Sequence, residues 1–353
     1  LRIAFVGIEK DWADLERRNY VLEFIKHHLE LPWYYARDGG NVVDIISDYH
    51  SGPFKFDNGR VQVLRSDDKV TADLYAKKYG PYDIVVHWRK WFEEHYDSEA
   101  INVINSQDHS YSPEWLQKVQ QATKEGKLEG VLCFPEWHET RLALEFNMLT
   151  HRPILMPGVT LGVDTQVYRP SENKNRHELL WASDIGRGLF NTENGGFINL
   201  TAEIFKADNK FKAHICYPDY GKQLDSIGHP AIELHKNLDN GPELWNLFND
   251  TGFLPYTSTF PEPSSRAHRQ AMAAGCVVLY PPSMGTPSDL LTDNVDGFVR
   301  PVSEWVDIIT RLASDKDEFD RISRNAREHA LRENWEVQAK RFNELFKELL
   351  NDH

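Results

Sequence analysis

Short apolar runs, each closed by glycine, proline or a polar cluster, recur along this chain, with longer amphipathic stretches between them. Arg2-Ile-Ala-Phe-Val-Gly7 is the first run. A stretch from Gly39 to Ile46 and another from Val61 to Leu64 follow. Asp83-Ile-Val-Val-His-Trp88, Ala100-Ile-Asn-Val-Ile-Asn105 and Gly130-Val-Leu-Cys-Phe-Pro135 continue the series. Such β-forming runs bounded by turn residues read as buried strands. Residues 13–31 and the stretch after Glu136 through Leu149 read as helices. The second half repeats the pattern in Glu178-Leu-Leu-Trp-Ala-Ser183, Phe211-Lys-Ala-His-Ile-Cys-Tyr217, Gly252-Phe-Leu-Pro-Tyr256 and Cys276-Val-Val-Leu-Tyr280. Strands alternating with helices predict parallel βαβ units, whose functional residues gather where the strands end. The final stretch, from Trp335 to Leu350, carries an apolar stripe through Phe342, Leu345, Phe346 and Leu349 at helical spacing.

Residues 259–280 are the most structured part of the pattern. Phe260-Pro-Glu-Pro263 is a breaker-rich loop, since proline fixes φ and disfavours helix before it. Ser264 or Ser265 suits an N-cap, an alanine-rich run follows, and Gly275 stands where a helix C-cap needs positive φ. The unit aims a helix N-terminus, with unpaired N–H groups and partial positive charge, beyond the strand ends, where it suits an anion. Between the two halves, Gly162-Val-Asp-Thr-Gln-Val-Tyr-Arg-Pro170 reads as a linker turn. There Gly162 is expected to supply unusual φ, Asp164 to close an Asx turn and Pro170 to stop the segment. The expected division is residues 1–160, 161–334 and a last helix over 335–353.

Composition narrows the partners. A chain of 353 residues with net charge −14 has room for two domains and is a poor match to nucleic acid or an anionic membrane. No apolar run approaches the ~20 residues of a membrane span. Cys133, Cys216 and Cys276 are odd in number and far apart, which predicts buried thiols and a cytoplasmic, reducing setting. Gly7 alone after the first strand is not a dinucleotide fingerprint. Asp315-Lys-Asp317 reads as solvated surface, and no metal ligand set or cofactor site is expected.

Glu262, followed eight residues later by Gln270 and then Ala271-Met-Ala-Ala-Gly-Cys-Val-Val, resembles the donor-site segment of retaining nucleotide-sugar glycosyltransferases of family 4. These have the two-Rossmann GT-B architecture, with parallel sheets facing an interdomain cleft and a last helix crossing back to the first domain. In that family the first Glu contacts the transferred sugar and the second the ribose; here Gln270 stands in the second place. Asp184-Ile-Gly-Arg-Gly-Leu-Phe190 resembles a variant of the donor-phosphate loop. Gly186 and Gly188 would allow close backbone approach, and Arg187 would form a fork to pyrophosphate oxygens. The lysine that relatives carry a few residues on is absent, and Arg266 or Arg269 could replace its charge. Gly162-Val-Asp resembles the family's linker signature.

In the first half, Trp88-Arg89, Asp108-His109 and Glu136-Trp-His138 resemble family features at strand ends. His109 is the best match to a histidine that reaches the transferred sugar, and Asp108 accompanies it on the donor side. Lys10, Trp12, Arg89 and His138 are acceptor-side candidates.

The resemblance implies transfer of a sugar from a nucleoside-diphosphate donor to a carbohydrate or other small acceptor, without a metal. Glu262, His109 and Arg187 would be the catalytic residues, with Ser264, Ser265 and Arg266 at the helix start holding the pyrophosphate. The alternatives are another GT-B enzyme, such as a nucleotide-sugar epimerase, and a catalytically silent nucleotide-sugar binding protein.

Overall fold

A computed structural model describes residues 1–6, 30–47, 54–56, 61–65, 81–88, 91–106, 112–134, 137–158, 161–182, 189–190, 196–217, 224, 227–236, 238, 241–258, 265–282 and 290–352. Contacts group them into two units: Leu1–Gly162 with Trp335–His353, and Val163–Asn334.

In the first unit, eight strands form one sheet: β1 (Arg2–Val6), β2 (Val42–Ser47), β3 (Phe54–Phe56), β4 (Val61–Arg65), β5 (Ile84–Trp88), β6 (Ile101–Asn105), β7 (Gly130–Leu132) and β8 (Ile154–Met156). Their spatial order is β3-β4-β2-β1-β5-β6-β7-β8, and every pairing is parallel except β3 with β4. Strands β1, β5 and β6 are buried along almost their whole length, as expected where both faces of a parallel sheet are covered. Ile3 and Phe5 join a core with Tyr34, Tyr35, Trp335 and Phe342, while Ala4 and Val6 pack with Tyr82 and Val85. Among the described residues up to Gly162, this unit's helices are α1 (Glu30–Gly39), α2 (Pro113–Lys124) and α3 (Trp137–Phe146).

The second unit holds a parallel six-stranded sheet in the order β11-β10-β9-β12-β13-β14. Its strands are β9 (Asn175–Ala182), β10 (Lys212–Tyr217), β11 (Ile232–Lys236), β12 (Thr251–Pro255), β13 (Val277–Tyr280) and β14 (Phe298–Val299). Helices α4 (Gly196–Ala207), α5 (Pro242–Asp250), α6 (Arg266–Ala273), α7 (Trp305–Ser314) and α8 (Lys316–Arg332) accompany it. The last helix, α9 (Trp335–Asp352), packs on the first unit: Trp335 stacks on Tyr34 with centroids 5.2 Å apart. Phe342 and Phe346 meet the Tyr35 ring edge-on, and the Tyr35 hydroxyl donates to Asn343 at 3.0 Å.

Several elements depart from expectation. Helix α1 runs to Gly39, past the Leu31 limit expected for the helix in this part of the chain. Strands β3, β8 and β11 were not expected: the first two have three residues each, and β11 is a half-exposed edge strand. The linker turn forms through Asp164, whose carboxylate accepts from the backbone N–H of Gln166 at 2.9 Å and of Val167 at 3.3 Å. Gly162, however, does not have positive φ. It is needed for closeness, since a Cβ there would lie 2.6 Å from Trp335 Cα. Asp315 caps α8 by accepting from Glu318 N at 3.0 Å. The three cysteines are buried free thiols. Among the described residues, no helix is long and apolar enough to cross a membrane.

Candidate functional site

Of the residues singled out from the sequence, Lys10, Trp12, Arg89, Asp108, His109, Glu136, Gly186, Arg187, Gly188, Glu262 and Ser264 lie outside the described residues. The strands that lead into them are described. In the second unit β9 ends at Ala182, just before the segment with Arg187, and β12 ends at Pro255, followed by the buried residues Tyr256, Thr257 and Ser258 and then the segment with Glu262. Strands β9 and β12 are parallel neighbours. The two segments therefore set out from adjacent carboxyl ends of one sheet. That is the edge at which open α/β sheets bind ligands.

Helix α6 begins where the second of these segments ends. Ser265 is its N-cap residue, extended at φ −117° and ψ 117°, yet its side chain makes no capping hydrogen bond. Ser112, by contrast, caps α2 by accepting from Trp115 N at 3.2 Å. The first-turn N–H groups of α6 thus receive nothing from the N-cap side chain and keep their attraction for an anion. The far end is fixed by a Schellman motif: Cys276 N donates to Ala271 O at 2.8 Å and Gly275 N to Met272 O at 2.9 Å, with Gly275 at φ 74°. Cys276 then enters β13, so the helix is locked to the sheet behind it.

The phase of the helix separates residues that the sequence left equivalent. Arg266 is exposed in the first turn, Gln270 is half-buried, and Arg269 is buried at 3 % exposure. Only Arg266 of the two arginines offers its charge to solvent. His268, not singled out from the sequence, is fully buried, and neither ring nitrogen has a hydrogen-bond partner. It makes T-shaped contacts with Tyr256 and Tyr280, centroids 4.6 Å and 5.2 Å away, and Tyr256 in turn stacks on Trp181 at 5.5 Å. Burial, with the Arg269 charge beside it, pushes the His268 imidazole down to about 3, so it is neutral. The aromatic types at 181, 256 and 280 were visible in the sequence; their convergence on His268 depends on strand register.

In the first unit, neighbouring parallel strands β5, β6 and β7 lead toward Arg89, the Asp108–His109 pair and Glu136 respectively. His138 lies in α3 and is fully buried. Its Nδ1 accepts from the backbone N–H of Phe134 at 3.2 Å, and its Nε2 is 3.5 Å from the Ser106 hydroxyl. The ring therefore ties the end of β7 to the end of β6.

No protein family matches the sequence, and no curated protein does either. Solved structures do resemble this one over the full chain. A glycosyltransferase from Rickettsia africae superposes with a TM-score of 0.72 at 14% identity, covering 100% of this chain and 99% of its own. Sucrose-phosphate synthase from Thermosynechococcus elongatus gives 0.70 at 12% identity, with 100% of both chains covered. Anabaena Alr3699/HepE, solved in complex with UDP and glucose, gives 0.67 at 15% identity, covering 98% of this chain and 99% of its own. The fold is GT-B. At such identities the likeness establishes the architecture, and the chemistry must come from the residues.

Proposed function

We propose that this GT-B chain is a glycosyltransferase that takes a sugar from a nucleoside-diphosphate donor, with retention of anomeric configuration and without a metal ion. The observation that carries this reading is the departure of the Arg187 and Glu262 segments from the adjacent carboxyl ends of β9 and β12, with the second segment running into the N-terminus of α6. Loss of a nucleoside diphosphate demands stabilisation of developing negative charge. First-turn N–H groups of α6, Arg266 and the Arg187 fork would supply it, with Ser264 and Ser265 contributing at the helix start and Gly186 and Gly188 allowing close approach. Glu262 would hydrogen-bond the sugar hydroxyls, and Gln270 the ribose. Binding of UDP by Alr3699/HepE supports a uridine nucleotide as the first donor to try.

The first unit would present a carbohydrate or other small acceptor through Lys10, Trp12 and Arg89. His109 would reach the transferred sugar beside Asp108, and His138 would act at one remove by holding the β6 and β7 ends. The proposed setting is the cytoplasm. Gln270, neutral where relatives carry Glu, favours as a second reading a nucleotide-sugar binder without turnover.

Turnover of UDP-sugars, by transfer or by donor hydrolysis, tests the first reading. Loss of a transition-state contact in Glu262→Ala or Arg187→Ala should lower the rate by about 10²–10³. Wild-type rates in both variants would reject the assignments, and tight donor binding without turnover in the parent chain would favour the silent binder.

A further inference from the structure

A second constellation stands at the β11 edge of the second sheet. His214 lies in the middle of β10, and Glu233 and His235 lie two apart on β11. The parallel register sets His214 beside Glu233 and Cys216 beside His235, so alternation puts all three side chains on one face. Their ligand atoms converge. His214 Nδ1 is 3.1 Å from His235 Nε2 and 3.6 Å from Glu233 Oε2, and His235 Nε2 is 3.7 Å from Glu233 Oε1. A tetrahedral zinc ion with bonds of ~2.0–2.2 Å holds its ligand atoms about 3.4 Å apart; the imidazole pair and the approach of each imidazole to one oxygen of the Glu233 carboxylate are near that value, and one ligand atom from each residue lies within 4.8 Å of the others.

The surroundings also fit. The other ring nitrogen of His214, Nε2, faces Glu178 Oε2 at 3.5 Å and has no other partner. A carboxylate behind a metal-bound imidazole fixes its tautomer, leaving Nδ1 unprotonated to ligate in place of its hydrogen bond with His235 Nε2. His214 is 8% exposed, whereas the Glu233 side chain is 67% exposed and leaves the site open to solvent. Glu243, in the first turn of α5, adds negative charge near His235. Two imidazoles with one carboxylate suit zinc and its transition-metal neighbours, whereas calcium and magnesium prefer all-oxygen sites.

We propose that His214, Glu233 and His235 bind one divalent ion of the zinc class, with Glu178 orienting His214 and water in the fourth position. The ion would pin edge strand β11 to β10. None of these residues belongs to α6 or to the residues proposed to hold the donor.

The full chain, without a histidine tag and stripped with chelator, is titrated calorimetrically with Zn²⁺ and followed by thermal melting. Co²⁺ reports geometry through its visible spectrum. One equivalent of zinc is expected to bind and raise the melting temperature, and cobalt should show the bands of a four-coordinate site. His235→Ala and Glu233→Gln should each weaken binding at least about tenfold and remove the melting shift; Glu178→Gln should weaken it about tenfold through His214. Because Glu233 is exposed, Glu233→Gln keeps the fold, which circular dichroism verifies. Absence of saturable zinc binding in the parent chain would overturn the proposal. So would binding and melting shifts unchanged in Glu233→Gln and His235→Ala, which would place the ion on other histidines.

Discussion

Replacing His268 by Leu should make the second unit markedly less sensitive to mild acid. The imidazole is fully buried in T-shaped contact with Tyr256 and Tyr280, and neither nitrogen has a hydrogen-bond partner, so a proton there has nothing to compensate its lost hydration. Its pKa is pushed down to about 3 in the fold, against about 6.5 in an unfolded chain. The folded pKa is the lower one, so the unfolded state takes up the proton first as pH falls. Stability is unaffected well above pH 6.5, declines below it at about 1.4 kcal/mol per pH unit, and levels off near pH 3. Between pH 7 and pH 5, where most exposed carboxylates remain ionised, this one residue accounts for a loss of about 2 kcal/mol.

The assay is urea unfolding at pH 7, 6 and 5, reading the pH slope and not the absolute stability, which the substitution itself will change. His268→Leu should shrink the loss over that range by about 2 kcal/mol. His87, buried in the first unit and likewise lowered to about 3, should keep its own contribution. An identical slope in parent and variant would refute the argument.

Gly275→Ala tests the lock behind α6. The substitution forces a side chain into φ 74° and sets a Cβ 2.9 Å from both Pro170 Cγ and the Ser323 hydroxyl oxygen, which itself donates to Gly275 O at 2.6 Å. Left-handed strain of about 1 kcal/mol and overpacking of about 1–3 kcal/mol should together lower stability by about 2–4 kcal/mol, measurable as a drop in urea midpoint. A change under about 0.5 kcal/mol would mean that the cap is not held as described.

The central strands were readable because both faces are buried, which leaves runs such as Ile3-Ala-Phe-Val6 and Val277-Val-Leu-Tyr280 with almost no polar interruption. Edge strands have no such signature: Ile232-Glu-Leu-His-Lys236 alternates with a half-exposed surface, and Ile154-Leu-Met156 is too short to show a period. The unit ending at Gly275 was legible down to its C-cap glycine, with Ser264 and Ser265 both open as its N-cap. The sequence did not reveal that Ser265 leaves the first turn uncapped, nor that Arg266 faces solvent while Arg269 is buried, since helix phase against the sheet decides both. The His214–Glu233–His235 cluster was invisible for a similar reason: it exists only through the register of β10 with β11.

The proposal that main-chain N–H groups and arginine, not a divalent ion, hold the donor diphosphate is tested most directly by titrating the parent chain with UDP in EDTA and again in magnesium. The same affinity is expected in both, with about tenfold or greater weakening in Arg187→Ala, the loss of a charge-assisted hydrogen bond of about 1.5–3 kcal/mol. Binding that appears only with magnesium, or that ignores Arg187→Ala, would contradict it.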